Sequence, residues 1–471
     1  MYDKIIKTIL IILSPLGGGR TEIKMRAELY HYDIFPKVFL VNEEAHITIK
    51  PLGAHAAFSD AVQVSITSLI HGLPHLYPER NPITTFQLTP DADGCLRFTH
   101  VFGEESEYRI FLEQENKRPI PMFVYVLEAD MKGRYPYRGD LHMHTFRSDG
   151  TQAPAIVVAD YRRHGYDFTV ISDHNRYYPS LEAINAFKDV PHEMNIVIGE
   201  EVHLPGNDIH IVNFGGKYSV NGLVDISPQN VESDRRSIID NPPPVLTKEQ
   251  YENEIHALIA QLNIPEGVDA FPYAASVWIF NHIRNGEGLG IFAHPYWIQR
   301  GTAYQVPEKL RAYMMQTQPF DAFEVLGGER YYQHNGFQAV QYYYDRAHGL
   351  DYPIVGSTDS HDSRVSNPKA LIASTFVFAP ANERASLIQS IKEKYSVAID
   401  TISAEYRLVG EPRLVKYARF LLDEFTPLHD ELCYEEGRLM KAYVTGEEGA
   451  EEALKLIYGR MDKLFKKYFA I

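Results

Sequence analysis

Apolar and polar residues follow three different rhythms along the chain. From about residue 26 to 132 the apolar runs are short and mostly alternate with polar residues: Ala45–Lys50, Val62–Ile66, Thr84–Thr89, Cys95–Val101, Arg109–Glu113 and Met122–Leu127. Period two is the mark of half-buried strands. Turn residues part them, among them Pro51-Leu52-Gly53, Asn81-Pro82 and Asp93-Gly94. Many short strands with no helical period predict an all-β sandwich over 26–132. No cluster of acid, base or nucleophile stands out there. The region therefore reads as an accessory domain, with ligand or carbohydrate recognition as the second reading.

From about 136 to 403 strand-like segments (Thr169–Ser172, Ile196–Gly199, Gly290–Ala293, Ala322–Leu326, Ile354–Ser357) alternate with helix-like ones (Ala153–His164, Leu181–Phe187, Lys248–Leu262, Tyr273–Asn285, Gly336–His348, Ala381–Tyr395). That alternation predicts an α/β domain with a parallel sheet or barrel and helices outside. The polar stretch 215–247, with Pro242-Pro243-Pro244, reads as an inserted loop. Over 412–471 the period becomes helical. Leu414, Ala418, Leu421, Leu422 and Phe425 form one stripe, and Leu454, Ile457, Met461, Leu464, Phe465 and Tyr468 another. Such stripes must be covered, either by the barrel or by a second copy in a homodimer.

At the start of the chain, Lys4 and Lys7 precede a short apolar run, Ile9–Leu13, and a poor cleavage site. Residues 1–25 are expected to be a poorly ordered extension, and the protein to be cytoplasmic. Secretion through residues 1–19 is the minor reading. No run approaches the length of a membrane span, so no membrane partner is expected.

Composition narrows the function. In 471 residues, 45% are hydrophobic and 23% charged, which excludes disorder as the main state. The 46 basic and 62 acidic residues leave a net charge of −16, so no nucleic-acid polymer is expected as partner. Two cysteines, Cys95 and Cys433, exclude a disulfide framework and a thiolate metal cage.

The 20 histidines are informative by position. On a strand, His142 and His144 in Asp140-Leu141-His142-Met143-His144 point the same way and can grip one metal. His174 ends Ile171-Ser172-Asp173-His174, Glu201 ends Gly199-Glu200-Glu201, His294 follows Ala293, and Asp359 and His361 lie in Ser357-Thr358-Asp359-Ser360-His361. His210 lies in the strand-like Asp208-Ile209-His210-Ile211-Val212, and Asp149 in the loop after His144. The end of a parallel strand is where sites assemble in α/β folds. Six imidazoles (His142, His144, His174, His210, His294, His361) and three carboxylates (Asp149, Glu201, Asp359) exceed one ion's needs and suit two or three. Ligands of nitrogen and oxygen suit Zn, Mn or Fe, and Glu201 or Asp359 is the natural bridge.

These motifs, with Ser148-Asp149-Gly150, Gly165-Tyr166-Asp167, Ser172-Asp173-His174-Asn175 and Ala293-His294-Pro295, resemble those of the PHP (polymerase and histidinol phosphatase) family over roughly 136–380. The resemblance implies a distorted (β/α)7 barrel with two or three divalent metal ions at its C-terminal rim. It implies His142, His144, Glu201 and Asp359 for one ion, and Glu201, His210 and His294 for a second, with His203 the competitor of His210. Asp149, His174 and His361 are implied for a third.

Such a centre is expected to hydrolyse a phosphoester in a small phosphorylated metabolite or nucleotide, using hydroxide generated by the metals. Glu201 and Asp359 would hold that centre, and His361 or a water would protonate the leaving oxygen. Arg147, Arg176 and Arg364 are the candidates for substrate phosphate. Tyr177, Tyr178, Tyr296, Tyr331 and Tyr332 would either stack on substrate or pack the rim. The alternatives are hydrolysis of an amide or lactone at the same centre, and a non-catalytic metal-containing binding protein.

Overall fold

The computed structural model describes residues 28–471 except 59, 116, 118, 227–231, 300, 329–331, 365–372 and 401–406. The extension expected over 1–25 and Tyr331 lie outside these residues, and so does the Tyr332 side chain. The chain is multidomain, with β-sheets and helices in two compact units. One unit comprises Pro136–Leu414 with Cys433–Tyr458, and the other runs to Tyr135 and adds Val415–Leu432 and Gly459–Ile471.

In the second unit a three-stranded sheet (Tyr32–Phe35, Glu44–Pro51, Leu96–Val101) and a five-stranded sheet share one core. The larger sheet runs Val38–Leu40, Ile120–Leu127, Ser106–Glu113, Val62–Ser68, Thr84–Leu88. Pairing is antiparallel, except that Val38–Leu40 lies parallel to Ile120–Leu127. Period two places Val62, Val64 and Ile66 in the core while Gln63 and Ser65 face outward. The short strand Val38–Leu40 is not left bare: Lys37 N–H donates to the Tyr468 carbonyl (2.8 Å), and Ala470 N–H donates to Val38 (2.9 Å). Covering an edge in this way denies it to foreign strands. The predicted stripe supplies the same unit: Ala418, Leu421, Phe425, Met461, Phe465 and Tyr468 are buried in the single chain.

The first unit holds a six-stranded sheet, in the order Asn195–Val197, Phe168–Val170, Tyr135–Asp140, Ala373–Ala379, Ser396–Asp400, Arg407–Gly410. A five-stranded sheet runs Gly199–Val202, Ile211–Phe214, Leu289–Phe292, Ala322–Leu326, Ile354–Gly356. The interior is apolar, with Phe168, Val170, Val212, Phe214, Leu289, Ile291 and Val355 packed together. Helices Lys248–Ile259, Ala270–Asn285 and Glu308–Thr317 cover outward residues such as Phe292 and Phe323.

The strands are not all parallel as the alternation predicts. Gly199–Val202 and Ile211–Phe214 form an antiparallel pair, and Ile211–Phe214 is antiparallel to Leu289–Phe292. The link 203–210 is too short for a crossover, which needs about a dozen residues, so the chain doubles back as a hairpin. His210 therefore precedes its strand instead of ending it. The stretch 215–247 is also more than a loop. It contains the turn Asn221–Leu223 and the helix Ser233–Arg236, with bridges Tyr218↔Ser237 and Val224↔Leu246. Among the described residues, no helix is long and apolar enough to cross a membrane.

Candidate metal centre

The segments that leave the strands are stitched to one another. Ser172 N–H donates to the Met143 carbonyl (3.0 Å), Glu201 N–H to Ser172 (3.1 Å), Asp359 N–H to His142 (2.8 Å) and His144 N–H to Ser360 (2.8 Å). Residues far apart in sequence thus become neighbours along one rim.

Buried acids fix these segments from behind. Asp140, pushed up to about 6 by burial, accepts from His142 N–H (3.1 Å), Thr358 N–H (3.0 Å) and Thr358 Oγ1 (2.5 Å). Asp173 accepts from Thr145 N–H (2.8 Å) and Oγ1 (2.6 Å) and from Ser148 N–H (3.2 Å), folding the loop that carries Asp149. A Cβ on Gly150 would meet the His144 carbonyl oxygen at 2.7 Å, so the loop closes only with glycine there. Glu200 faces away from Glu201, as neighbours on a strand must. It is held by Ser219 Oγ (2.6 Å), Val220 N–H (2.5 Å) and Asn221 Nδ2 (3.0 Å), all from the 215–247 excursion. Two of the presented residues have left-handed backbones, His294 (φ 23°) and Asp359 (φ 52°). Such conformations cost free energy outside glycine and gather at functional sites.

The side chains converge. His142 Nε2 lies 3.3 Å from His144 Nε2, 3.3 Å from Glu201 Oε2 and 3.4 Å from Asp359 Oδ1. His144 Nε2 is 3.3 Å from Glu201 Oε2 and 3.0 Å from Asp359 Oδ1. Ligands at about 2.0–2.1 Å around a tetrahedral ion stand about 3.3 Å from one another, because a tetrahedron's edge is about 1.6 times its radius. The spacing of His142, His144 and Asp359 fits a shared ion, and Glu201 Oε2 stands 3.3 Å from each of the two imidazoles.

The neighbouring donors extend the same cluster. His174 Nδ1 and His210 Nδ1 each stand 2.8 Å from a Glu201 oxygen, and His203 Nε2 stands 3.5 Å from it. His294 Nε2 is 3.6 Å from Asp359 Oδ2. Asp149 lies 3.5 Å from His174 Nε2 and 3.3 Å from His361 Nε2. All nine expected donors therefore meet in one connected group. The choice between His210 and His203 is not exclusive, since both face Glu201 and His203 also stands 2.9 Å from His174 Nδ1.

Several buried polar atoms of the cluster have no hydrogen-bond partner in the protein. Glu201 Oε1 and Oε2, His144 Nδ1, and both nitrogens of His294 are buried with no hydrogen-bond partner. Leaving such groups unsatisfied costs about 1–3 kcal/mol each, more if charged. Divalent cations there would satisfy the Glu201 oxygens and the one lone-pair nitrogen of His294 together.

Electrostatics agree. Burial pushes His144 down to about 3, with the neighbouring His174 adding to it, and burial also takes His294 to about 3, so both are neutral with lone pairs to offer at neutral pH. Burial opposes the charge of Glu201 and Asp359, yet the surrounding imidazoles hold both well below the carboxylate range. Burial also opposes His174, but Glu201 and Asp149 raise it to about 10.

One residue escaped the sequence reading. Glu324, fully buried, stands 2.9 Å from His142 Nδ1 and is pushed up to about 7 by burial. With Nδ1–H donating to Glu324, His142 is left to present Nε2 to the cluster. The signal was a lone acid inside the apolar strand Ala322–Leu326. A Cβ on Gly327 would meet Glu324 Oε1 at 1.7 Å, so that glycine leaves the carboxylate its place.

The expected substrate contacts are placed differently. Arg147 is paired with Glu182 (2.8 and 3.0 Å) and Arg364 with Asp362 (2.9 and 3.0 Å), so these two guanidiniums are neutralised by their own chain. Arg176 donates to the Tyr178 hydroxyl (3.3 Å). Tyr177 is fully buried with its hydroxyl on the Gly216 carbonyl (2.7 Å), and it packs the protein instead of stacking on substrate. Tyr296 is likewise engaged, by Gln341 (2.8 Å) and by Arg311, whose guanidinium sits 3.8 Å from its ring centre.

No family model and no curated protein matches the chain. Among solved structures, the chain is similar to a two-domain protein from Bacteroides vulgatus containing a "predicted PHP-like metal-dependent phosphoesterase" (15% identity, TM-score 0.35). That match covers 57% of this chain and spans just under two thirds, 65%, of the Bacteroides protein. A "putative metal-dependent phosphoesterase" from Bifidobacterium adolescentis matches at 17% identity and TM-score 0.31, over 54% of this chain and 94% of that one. An amidohydrolase from Chromobacterium violaceum matches at 16% identity and TM-score 0.26, over 48% and 87%. These likenesses are faint, and the functional reading stands on the chain's own side chains.

Proposed function

We propose that this protein is a metal-dependent phosphoesterase of the PHP type, acting on a small phosphorylated metabolite or nucleotide. In this reading the two sheets of the first unit form the distorted (β/α)7 barrel of that family. The observation that carries the proposal is the group of mutually facing imidazole and carboxylate atoms around Glu201 and Asp359, in which both Glu201 oxygens and both His294 nitrogens are buried without hydrogen-bond partners.

Divalent ions held by His142, His144, Glu201 and Asp359, by Glu201, His210 and His294, and by Asp149, His174 and His361 would supply an acidified water and neutralise phosphoryl oxygens. Zn, Mn and Fe suit a donor set of nitrogen and oxygen. The chain's own groups do the rest. Glu324 holds His142 in one tautomer. Asp173 fixes the loop bearing Asp149. His361, with Nδ1 on the Asp359 carbonyl (3.0 Å), turns Nε2 toward Asp149 as a ligand, and a water protonates the leaving oxygen.

The experiment is phosphate release from phosphomonoesters, cyclic nucleotides and short diesters by metal-stripped protein reloaded with Mn²⁺ or Zn²⁺. Turnover that needs metal and disappears in His142→Ala is expected. Metal binding without turnover on any phosphoester would contradict the proposal and favour an amide or lactone substrate.

A further inference from the structure

Three arginines gather around one tyrosine beside the donor cluster. Tyr178 opens the helix Tyr178–Phe187, four residues after His174. The guanidinium carbon of Arg235 lies 4.2 Å from its ring centre and that of Arg147 lies 6.0 Å away, while Arg176 donates to its hydroxyl (3.3 Å). Arg147 comes from the loop between His144 and Asp149, and Arg176 follows His174 by two residues. Arg235 arrives from the helix Ser233–Arg236.

The charges do not balance. Glu182 answers Arg147 with both oxygens. Among the described residues, Arg176 and Arg235 have no carboxylate partner. Tyr178, Arg176 and Arg235 are all half-buried. Like charges brought together without counter-ions repel, and the more so where water is partly excluded. This happens in a chain whose net charge is −16, where acidic partners are plentiful elsewhere. A tyrosine face can hold a guanidinium by its quadrupole and leave the N–H edge free, and that edge matches the paired oxygens of phosphate or carboxylate.

We propose that Arg176, Arg235 and Tyr178 form a second anion subsite, and that the substrate carries a second oxyanion on the alcohol released by hydrolysis. The inference rests on the phosphoesterase reading for its chemistry and on the arginine cluster for its location. The shared ligand chemistry is a planar or tetrahedral oxyanion, so a phosphate and a carboxylate are both admitted, and the assay separates them.

The test uses the Mn²⁺-loaded full chain with alkanediol monophosphates, the matching bisphosphates and the matching ω-carboxyl phosphates, over a range of chain lengths. At one spacing the second oxyanion is expected to raise kcat/KM about tenfold or more, the worth of a charge-assisted contact. Arg176→Ala with Arg235→Ala should abolish that advantage. The Gln pair, which keeps the side-chain bulk, should do the same if the Ala pair folds poorly. Whichever anion gains more identifies the source. Equal kcat/KM at every spacing, or an advantage that survives both double variants, would overturn the inference. If no phosphoester is hydrolysed at all, the phosphoesterase reading fails by itself. The subsite is then read by calorimetry with sulfate, where the wild type should bind one ion more than the double variant, and equal stoichiometry would overturn it.

Discussion

The two compact units differ in where their buried polar groups find partners. In the sandwich-bearing unit several come in matched pairs. Lys37 meets Glu424 (2.5 Å), Ser68 meets Ser106 (3.1 Å), and Asn81 donates to the Ser68 and Gly72 carbonyls (2.7 and 2.9 Å). At the rim in the other unit, both Glu201 oxygens, His144 Nδ1 and both His294 nitrogens are buried without a hydrogen-bond partner. A sequence selected for stability alone would fill such a site with apolar side chains. The contrast teaches that the rim is built for something not made of protein, and that the chain spends stability to present it.

The contrast is broken most forcefully at its centre. Glu201→Gln removes the carboxylate that faces His142, His144, His174 and His210. It should cost metal binding and activity more than the roughly 10–100-fold typical of a residue behind the ligands, read by metal analysis and phosphate release. Glu324→Leu is the next test. Losing the acceptor of His142 Nδ1 should weaken metal affinity or activity about 10–100-fold, while the donor atoms themselves are untouched.

On the other side of the comparison, Ile110→Ala in the sandwich core should destabilise that unit by about 2–5 kcal/mol in chemical unfolding and leave kcat of the folded fraction unchanged. Gly150→Ala should cost less stability, about 1–3 kcal/mol from overpacking against His144, but should lower activity by moving Asp149.

A further effect is one of pH. His174 is raised to about 10 in the metal-free chain because Glu201 and Asp149 outweigh its burial. A group raised on folding lends stability that is whole below its ordinary value near 6.5 and fades as pH climbs toward 10. The metal-free protein should therefore lose thermal stability over that range. Metal loading should release protons, visible as a buffer-dependent binding enthalpy.

The local part of this architecture was legible in the chain. The alternation of Val62–Ile66 and the apolar run Ala322–Leu326 mark strands that the structure contains. The histidines and acids beside such runs are the ones that meet. What was hidden depends on direction and on distant partners. Period and composition do not show that 203–210 is a hairpin, so His210 reaches the rim from the start of an antiparallel strand. Glu324 looks like a stray acid until His142, 182 residues away in sequence, is set beside it. Arg147 reads as a phosphate ligand until Glu182 is seen to hold it. The stripe Leu421, Phe425, Phe465 and Tyr468 announces burial but not by what, and the structure covers it within one chain.

The most direct test of the central claim is the number of divalent ions bound per chain after saturation with Mn²⁺ or Zn²⁺ and removal of the excess, in the wild type and in Glu201→Gln. Two or three ions in the wild type, falling to at most one in the variant, is the predicted result. Fewer than two in the wild type, or a count that Glu201→Gln leaves unchanged, would contradict it.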